Sequence, residues 1–144
     1  MQRRVTLMRH GHAEDRADDF ARELSPTGRA AATRAGRALD EAGFAPGRIV
    51  TSAARRALVT AELVARACAH GGAIVADRGL YLASPGQYLA VLHRLRASTV
   101  NVLLVGHNPG LSELARELCG YAGELTPAGY VSTCFELADW SELG

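Results

Sequence analysis

Short apolar runs alternate with amphipathic stretches along the 144 residues of this chain. Val5-Thr6-Leu7-Met8 is a mostly apolar run that ends in Arg9-His10-Gly11, the pattern of a buried parallel strand opening into a loop. From His12 to Glu23 the chain is polar and acidic, and Ser25-Pro26 then offers an N-cap followed by proline at the first helical position. A helix is predicted over 26–42, with Ala31, Ala35, Ala38, Leu39 and Ala42 at helical spacing and Gly43 as its stop. Residues 48–51 read as a second strand, and Ser52 as the cap of a long helix reaching Ala69, before Gly71-Gly72. A short third strand follows over 73–75. Ser84-Pro85-Gly86-Gln87 is a capping box that starts a helix running to Arg96. Residues 100–105 are the most apolar run and end at Gly106-His107-Asn108-Pro109, where Asn108 is placed to cap a helix through Leu118. Weak alternation over 130–137 suits a strand at the sheet edge, antiparallel to the rest.

Strands alternating with helices imply an α/β fold: a three-layer α/β/α sandwich with a mostly parallel open sheet and helices on both faces. The length suits one domain over 1–144, and the chain has neither repeats nor low-complexity segments. An apolar fraction of 48% against 22% charged residues is that of a globular protein rather than a disordered one.

The formal net charge of +1 removes the broad basic footprint of a nucleic-acid binder, yet leaves room for a local cluster of arginines around one anion. All 16 basic residues are arginine, a bias that restricts functional readings to arginines at special positions. Cys68, Cys119 and Cys134 are too few and too scattered for a disulfide framework or a zinc site, and read as small apolar residues in a reducing compartment. No apolar segment approaches the ~20 residues that cross a bilayer. The expectation is a cytoplasmic protein with no membrane and no nucleic-acid partner.

In a parallel sheet the loops at the carboxyl ends of the strands form the ligand crevice, which puts His10 and His107 on one edge of the fold. Arg9 accompanies the first histidine. Arg56 opens a helix after another strand, where backbone N–H groups and the helix dipole also favour an anion. Guanidinium forks suit the spread negative charge of phosphoryl transfer, and a neutral imidazole can be the nucleophile. The expected chemistry has His10 attacking phosphorus in line while Arg9, Arg56 and His107 neutralise the oxygens. Each residue alone would be an ordinary surface or satisfied group, and the combination carries the reading. His12, His70 and His93 lack such partners and read as structural or surface residues. A metal held by His10, His12 and His107 is disfavoured by the adjacent arginines, so no metal and no cofactor are expected.

Arg9-His10-Gly11 at the end of the first strand resembles the signature of the histidine phosphatase, or phosphoglycerate mutase-like, superfamily. Thr51-Ser52-Ala53-Ala54-Arg55-Arg56-Ala57 is similar to its Ser-Pro-Leu-x-Arg-Ala segment, and Gly106-His107-Asn108-Pro109 to its second histidine motif. Ala53, Ala54 and Val59 depart from the usual proline, leucine and glutamine. Larger members carry a glutamate proton donor in an insertion after the third strand, but Leu80-Tyr81-Leu82-Ala83-Ser84-Pro85 has no carboxylate. That compactness, the segment Asp19-Phe20-Ala21-Arg22-Glu23-Leu24-Ser25 and Gly106-His107-Asn108-Pro109-Gly110-Leu111 resemble the SixA branch, the bacterial phosphohistidine phosphatases.

The resemblance implies a phosphatase acting on phosphohistidine of a phosphotransfer domain or phosphocarrier, with Arg22 and Asn108 as additional substrate-binding residues. A phosphoramidate P–N bond depends less on a strong general acid than an alkyl ester does. Asp19, with Glu14 and Asp15 behind it, is the candidate for a residual proton donor, set against the plainer reading of a solvated acidic loop. The alternatives are a phosphomonoesterase for a sugar or nucleotide phosphate, and a non-catalytic phosphoprotein-binding module, which the presence of His10 disfavours.

Overall fold

The computed structural model describes residues 1–144. Five strands form one sheet: β1 (Gln2–Arg9), β2 (Arg48–Ser52), β3 (Ile74–Asp77), β4 (Asn101–Gly106) and β5 (Tyr130–Glu136). Four helices connect them: α1 (Pro26–Glu41), α2 (Arg55–Ala67), α3 (Pro85–His93) and α4 (Gly110–Cys119). The strand order is β3-β2-β4-β1-β5, with the first four parallel and β5 antiparallel to β1 at the edge.

That order places the helices. The chain moves outward from β1 through β2 to β3 and then returns to β4, and right-handed crossovers in opposite directions lie on opposite faces of a sheet. Met8, Leu103 and Val105 accordingly pack with Ala35 and Leu39 of α1 and Ala57, Ala61 and Val64 of α2. Val5, Leu7, Val102 and Leu104 face the other way, against Tyr88 and Leu92 of α3 and Leu111 and Leu114 of α4. β1 and β4 lie at the centre and are covered on both sides, as their continuous apolar runs require.

Several local expectations are corrected. The buried face of α1 is Gly28, Ala32, Ala35, Gly36 and Leu39, so Ala38 and Ala42 are exposed and Ala31 only half-buried. Close helix packing sets this rotation: a Cβ at Gly36 would stand 2.7 Å from Ala67 Cβ on α2, so the face is built where α1 can approach that helix most closely. Ser25 does cap α1, accepting from Gly28 N. Ser52 does not cap α2. It is the last residue of β2, while the helix begins at Arg55 from Ala54 without a side-chain cap. The expected capping box of Ser84 and Gln87 is present, but α3 ends at His93. No helix is long and apolar enough to cross a membrane.

Candidate active site

Sheet register delivers the two histidines together. Arg9 pairs with Gly106 across β1 and β4, so His10 and His107 leave adjacent parallel strands at the same level, with ring centroids 5.1 Å apart. Thr51 pairs with Val105 across β2 and β4, so Ser52 is level with Gly106 and its hydroxyl reaches the following residue, His107. Ser52 Oγ and His107 Nε2 are 2.7 Å apart.

The loop after β1 is held rigidly. His10 N donates to the Gly106 carbonyl at 3.1 Å. Gly11 N donates to Thr60 Oγ1, and that hydroxyl donates to the Arg56 carbonyl, tying the loop to α2. His10 Nδ1 lies 2.7 Å from the Gly11 carbonyl, which can only accept, so the proton sits on Nδ1 and Nε2 keeps its lone pair. Arg56 Nε points at that lone pair from 3.4 Å. Burial, reinforced by the charges of Arg56, Arg9 and Arg22 and opposed by the carbonyl contact, pushes the His10 pKa down to about 4. Burial first, and then the neighbouring His10 and Arg56, push His107 down to about 3. Both imidazoles are neutral at neutral pH.

His10 and His107 line one cavity of about 240 Å³ together with Arg9, Arg22, Arg56, His12, Ala13, Asp15, Leu82, Asn108 and Pro127. Its wall is mostly polar and its only long aliphatic side chain is Leu82, exposed at the rim. Two buried nitrogens of the lining residues have no partner, Arg9 Nε and His107 Nδ1. Buried donors are rarely left without an acceptor, and the Ser52 hydroxyl at His107 Nε2 is compatible with a proton on Nδ1. With Arg22 and Arg56 beside them, these nitrogens suit a multiply charged oxyanion.

Four expected residues, Arg9, His10, Arg56 and His107, thus meet in one cavity, and Arg22 joins its wall. Arg22 Nε donates to the Glu14 carbonyl and its Nη1 to Asp19 Oδ1. Asn108 also lines the cavity, but its amide is engaged: Nδ2 donates to the Leu125 carbonyl at 3.0 Å, and Oδ1 accepts from Ser112 N and Oγ. It serves the first turn of α4 from the position before the N-cap residue Pro109, accepting from Ser112 N at 3.2 Å.

Asp19, the expected proton donor, stands beside the cavity and is engaged by other side chains. It does not line the cavity, and its carboxylate accepts from Tyr81 Oη, from Arg56 Nη2 at 3.1 Å and from Arg22 Nη1 at 3.2 Å. Tyr81 first, then Arg22 and Arg56, hold its pKa down to about 2. These three donors favour the carboxylate form and tie it to both arginines.

Ser52, Tyr81, Tyr88 and Thr60 were not singled out as site residues by the sequence. The Tyr88 hydroxyl accepts from His107 N at 2.9 Å and fixes the backbone of the second histidine. Tyr81 packs edge-on to His107 with centroids 5.7 Å apart. Ser52 directly follows the apolar run 48–51, where a serine also fits a helix cap, and only the structure separates the two settings. The two tyrosines gave no pattern that separates them from core residues.

A mostly parallel α/β sheet with an arginine-lined cavity around a histidine whose Nε2 carries no proton is suited to handling a phosphoryl group. The model of the histidine phosphatase superfamily (branch 1) matches residues 5–88, and the chain belongs to that superfamily. Among solved structures, the candidate phosphohistidine phosphatase SixA from Agrobacterium tumefaciens is 27% identical, with a TM-score of 0.83 and 90% of each chain covered. A protein histidine phosphatase SixA complexed with tungstate is 25% identical, with a TM-score of 0.80, covering 90% of this chain and 86% of that one. The mycobacterial glucosyl-3-phosphoglycerate phosphatase, at 17% identity and a TM-score of 0.74 over 99% and 95% of the two chains, shares the fold. No curated protein matches by sequence. These findings support a histidine phosphatase.

Proposed function

We propose that the chain hydrolyses phosphohistidine on another protein, a phosphotransfer domain or phosphocarrier, through a phosphorylated His10 and without a metal ion. The observation that carries this is the unprotonated Nε2 of His10 in a cavity lined by Arg9, Arg22 and Arg56, with Arg9 Nε and His107 Nδ1 unpartnered.

His10 Nε2 attacks phosphorus opposite the leaving nitrogen, and its lone pair forms the new P–N bond as the old one breaks. Arg9, Arg22, Arg56 and His107 take the equatorial oxygens, where preorganised donors act most strongly because they do not reorganise during the reaction. Water then attacks the phosphoryl group and returns the electron pair to Nε2. Three guanidinium groups supply the positive charge that a metal would otherwise bring.

The phosphohistidine substrate is favoured by the likeness to the SixA structures and by a lining whose one carboxylate, that of Asp15, stands in solvent. The short segment 78–84 adds no covering insertion, which leaves the cavity accessible to a side chain presented by a second protein. Three unpaired cysteines fit a reducing cytoplasm. Turnover of a phosphohistidine protein should exceed that of alkyl phosphomonoesters, with a chelator present throughout. A clear preference for the alkyl esters would turn the reading toward a small-molecule phosphomonoesterase, and activity lost to the chelator would remove metal independence.

A further inference from the structure

Breaking the bond to the leaving group puts an electron pair on the departing atom, which then needs a proton. Guanidinium groups do not release theirs, so Arg9, Arg22 and Arg56 are unsuited. His10 is the nucleophile, His107 is kept neutral by burial, and Asp19 is an anion outside the cavity wall. His12 and Asp15 are the titratable side chains of the lining that remain.

Their settings differ. Asp15 stands wholly in solvent with its carboxylate 3.9 Å from Arg22, and nothing else directs it. His12 is aimed. Its Nδ1 lies 2.8 Å from Ser25 Oγ, and Ser25 is itself fixed as the cap of α1, accepting from Gly28 N at 3.0 Å and donating to the His12 carbonyl at 3.2 Å. The helix start is pressed onto this residue so closely that a Cβ on Gly28 would stand 2.1 Å from the same carbonyl. With Nδ1 tied to Ser25, Nε2 is the free nitrogen of an exposed ring on the cavity wall.

We propose that His12 is a catalytic residue that carries the proton of the reaction, a role that rests on His10 being the nucleophile. In the first step the His12 imidazolium gives its Nε2 proton to the departing nitrogen or oxygen as that atom takes the electron pair of the breaking bond, which leaves a neutral ring whose remaining proton sits on Nδ1 towards Ser25 Oγ. In the second, neutral Nε2 takes a proton from the attacking water as the P–N bond to His10 breaks and its electron pair returns to that ring. Each turnover restores both rings. Imidazole suits both directions because it exchanges protons readily near neutral pH.

Aryl phosphates with leaving phenols of graded acidity test this, since a strongly acidic phenol departs with little help. His12→Gln should lower kcat/KM by about 10²-fold or more for phenyl phosphate, and progressively less toward nitrophenyl phosphate. His12→Asn provides a second variant should glutamine disturb the fold, which circular dichroism would report. An equal loss across the series, or no loss, overturns the proposal. A graded loss in Asp15→Asn but not in His12→Gln overturns it too, by moving the proton to Asp15. The series contains no phosphohistidine, so its outcome is separate from that of the protein-substrate comparison, and a trapped phosphoryl group on His10 checks the nucleophile independently.

Discussion

Ser52 Oγ stands 2.7 Å from His107 Nε2, and both residues are almost completely buried. Two parallel strands in register make this contact, and the hydroxyl also accepts from Ala54 N. Replacing Ser52 with alanine leaves the buried imidazole with two unpartnered nitrogens. A buried polar group deprived of its partner costs about 1–3 kcal/mol. Ser52→Ala should therefore lower the urea midpoint and reduce kcat by roughly tenfold or more, because His107 is no longer held towards the phosphate. Unchanged kinetics would mean that packing alone orients His107.

Asp19→Asn separates orientation from proton donation. Loss of a true general acid costs about 10²–10⁴-fold in rate. Asp19 instead braces Arg56 through its carboxylate and also through its carbonyl, which accepts from Arg56 Nη1 at 2.6 Å. Asparagine keeps the carbonyl contact and the side-chain shape, so the expected loss is below about tenfold. Steady-state kinetics on one good and one poor leaving group would show a loss independent of the leaving group.

The two lowered histidine pKa values set the acid behaviour. His10 loses its nucleophilic lone pair only as pH falls through about 4, so the acid limb of kcat/KM should lie near there, after the substrate's own ionisation is divided out. Stability follows a related rule. The unfolded chain binds protons at these histidines from about 6.5 downward, whereas the native state refuses them until about 4 for His10 and about 3 for His107. Stability is thus fully kept above that window and lost progressively as pH falls through it. Urea unfolding at several pH values should show the decline, and His10→Gln should show less of it.

Asn108 belongs to the scaffold as much as to the cavity. Its amide joins α4 to the loop at Leu125, and Ser112 Oγ in turn accepts from Leu125 N at 2.9 Å. Asn108→Ala should destabilise the protein by about 1–2 kcal/mol, the scale of a lost helix cap. The expected effect on KM is small. A large rise in KM with unchanged stability would assign Asn108 to the substrate instead.

How far the sequence could be read depended on whether a pattern had one physical meaning. Buried parallel strands have few ways to look, and 5–8 and 100–105 led directly to the central pair whose register joins His10 to His107. Capping serines were ambiguous: Ser25 and Ser84 cap helices, whereas Ser52 ends a strand and serves a histidine. Alanine-rich α1 offered several faces of similar apolarity, and the closeness of α2 at Gly36 chose among them. The roles of Tyr81, Tyr88 and Thr60 depend on contacts far apart in sequence, such as Tyr81 with Asp19, and no local spacing encodes them. The acidic loop marks Asp19 in the sequence, but its lowered pKa comes from Tyr81 and two arginines that only folding assembles.

Rapid quenching of the enzyme with a radiolabelled phosphoryl donor examines the His10 nucleophile most directly. The result expected is a label on His10, stable to base and released by acid, formed in a burst before steady turnover and absent from His10→Ala, which should also be inactive. Substantial turnover by His10→Ala, or a label that resides elsewhere in the chain, would contradict the account.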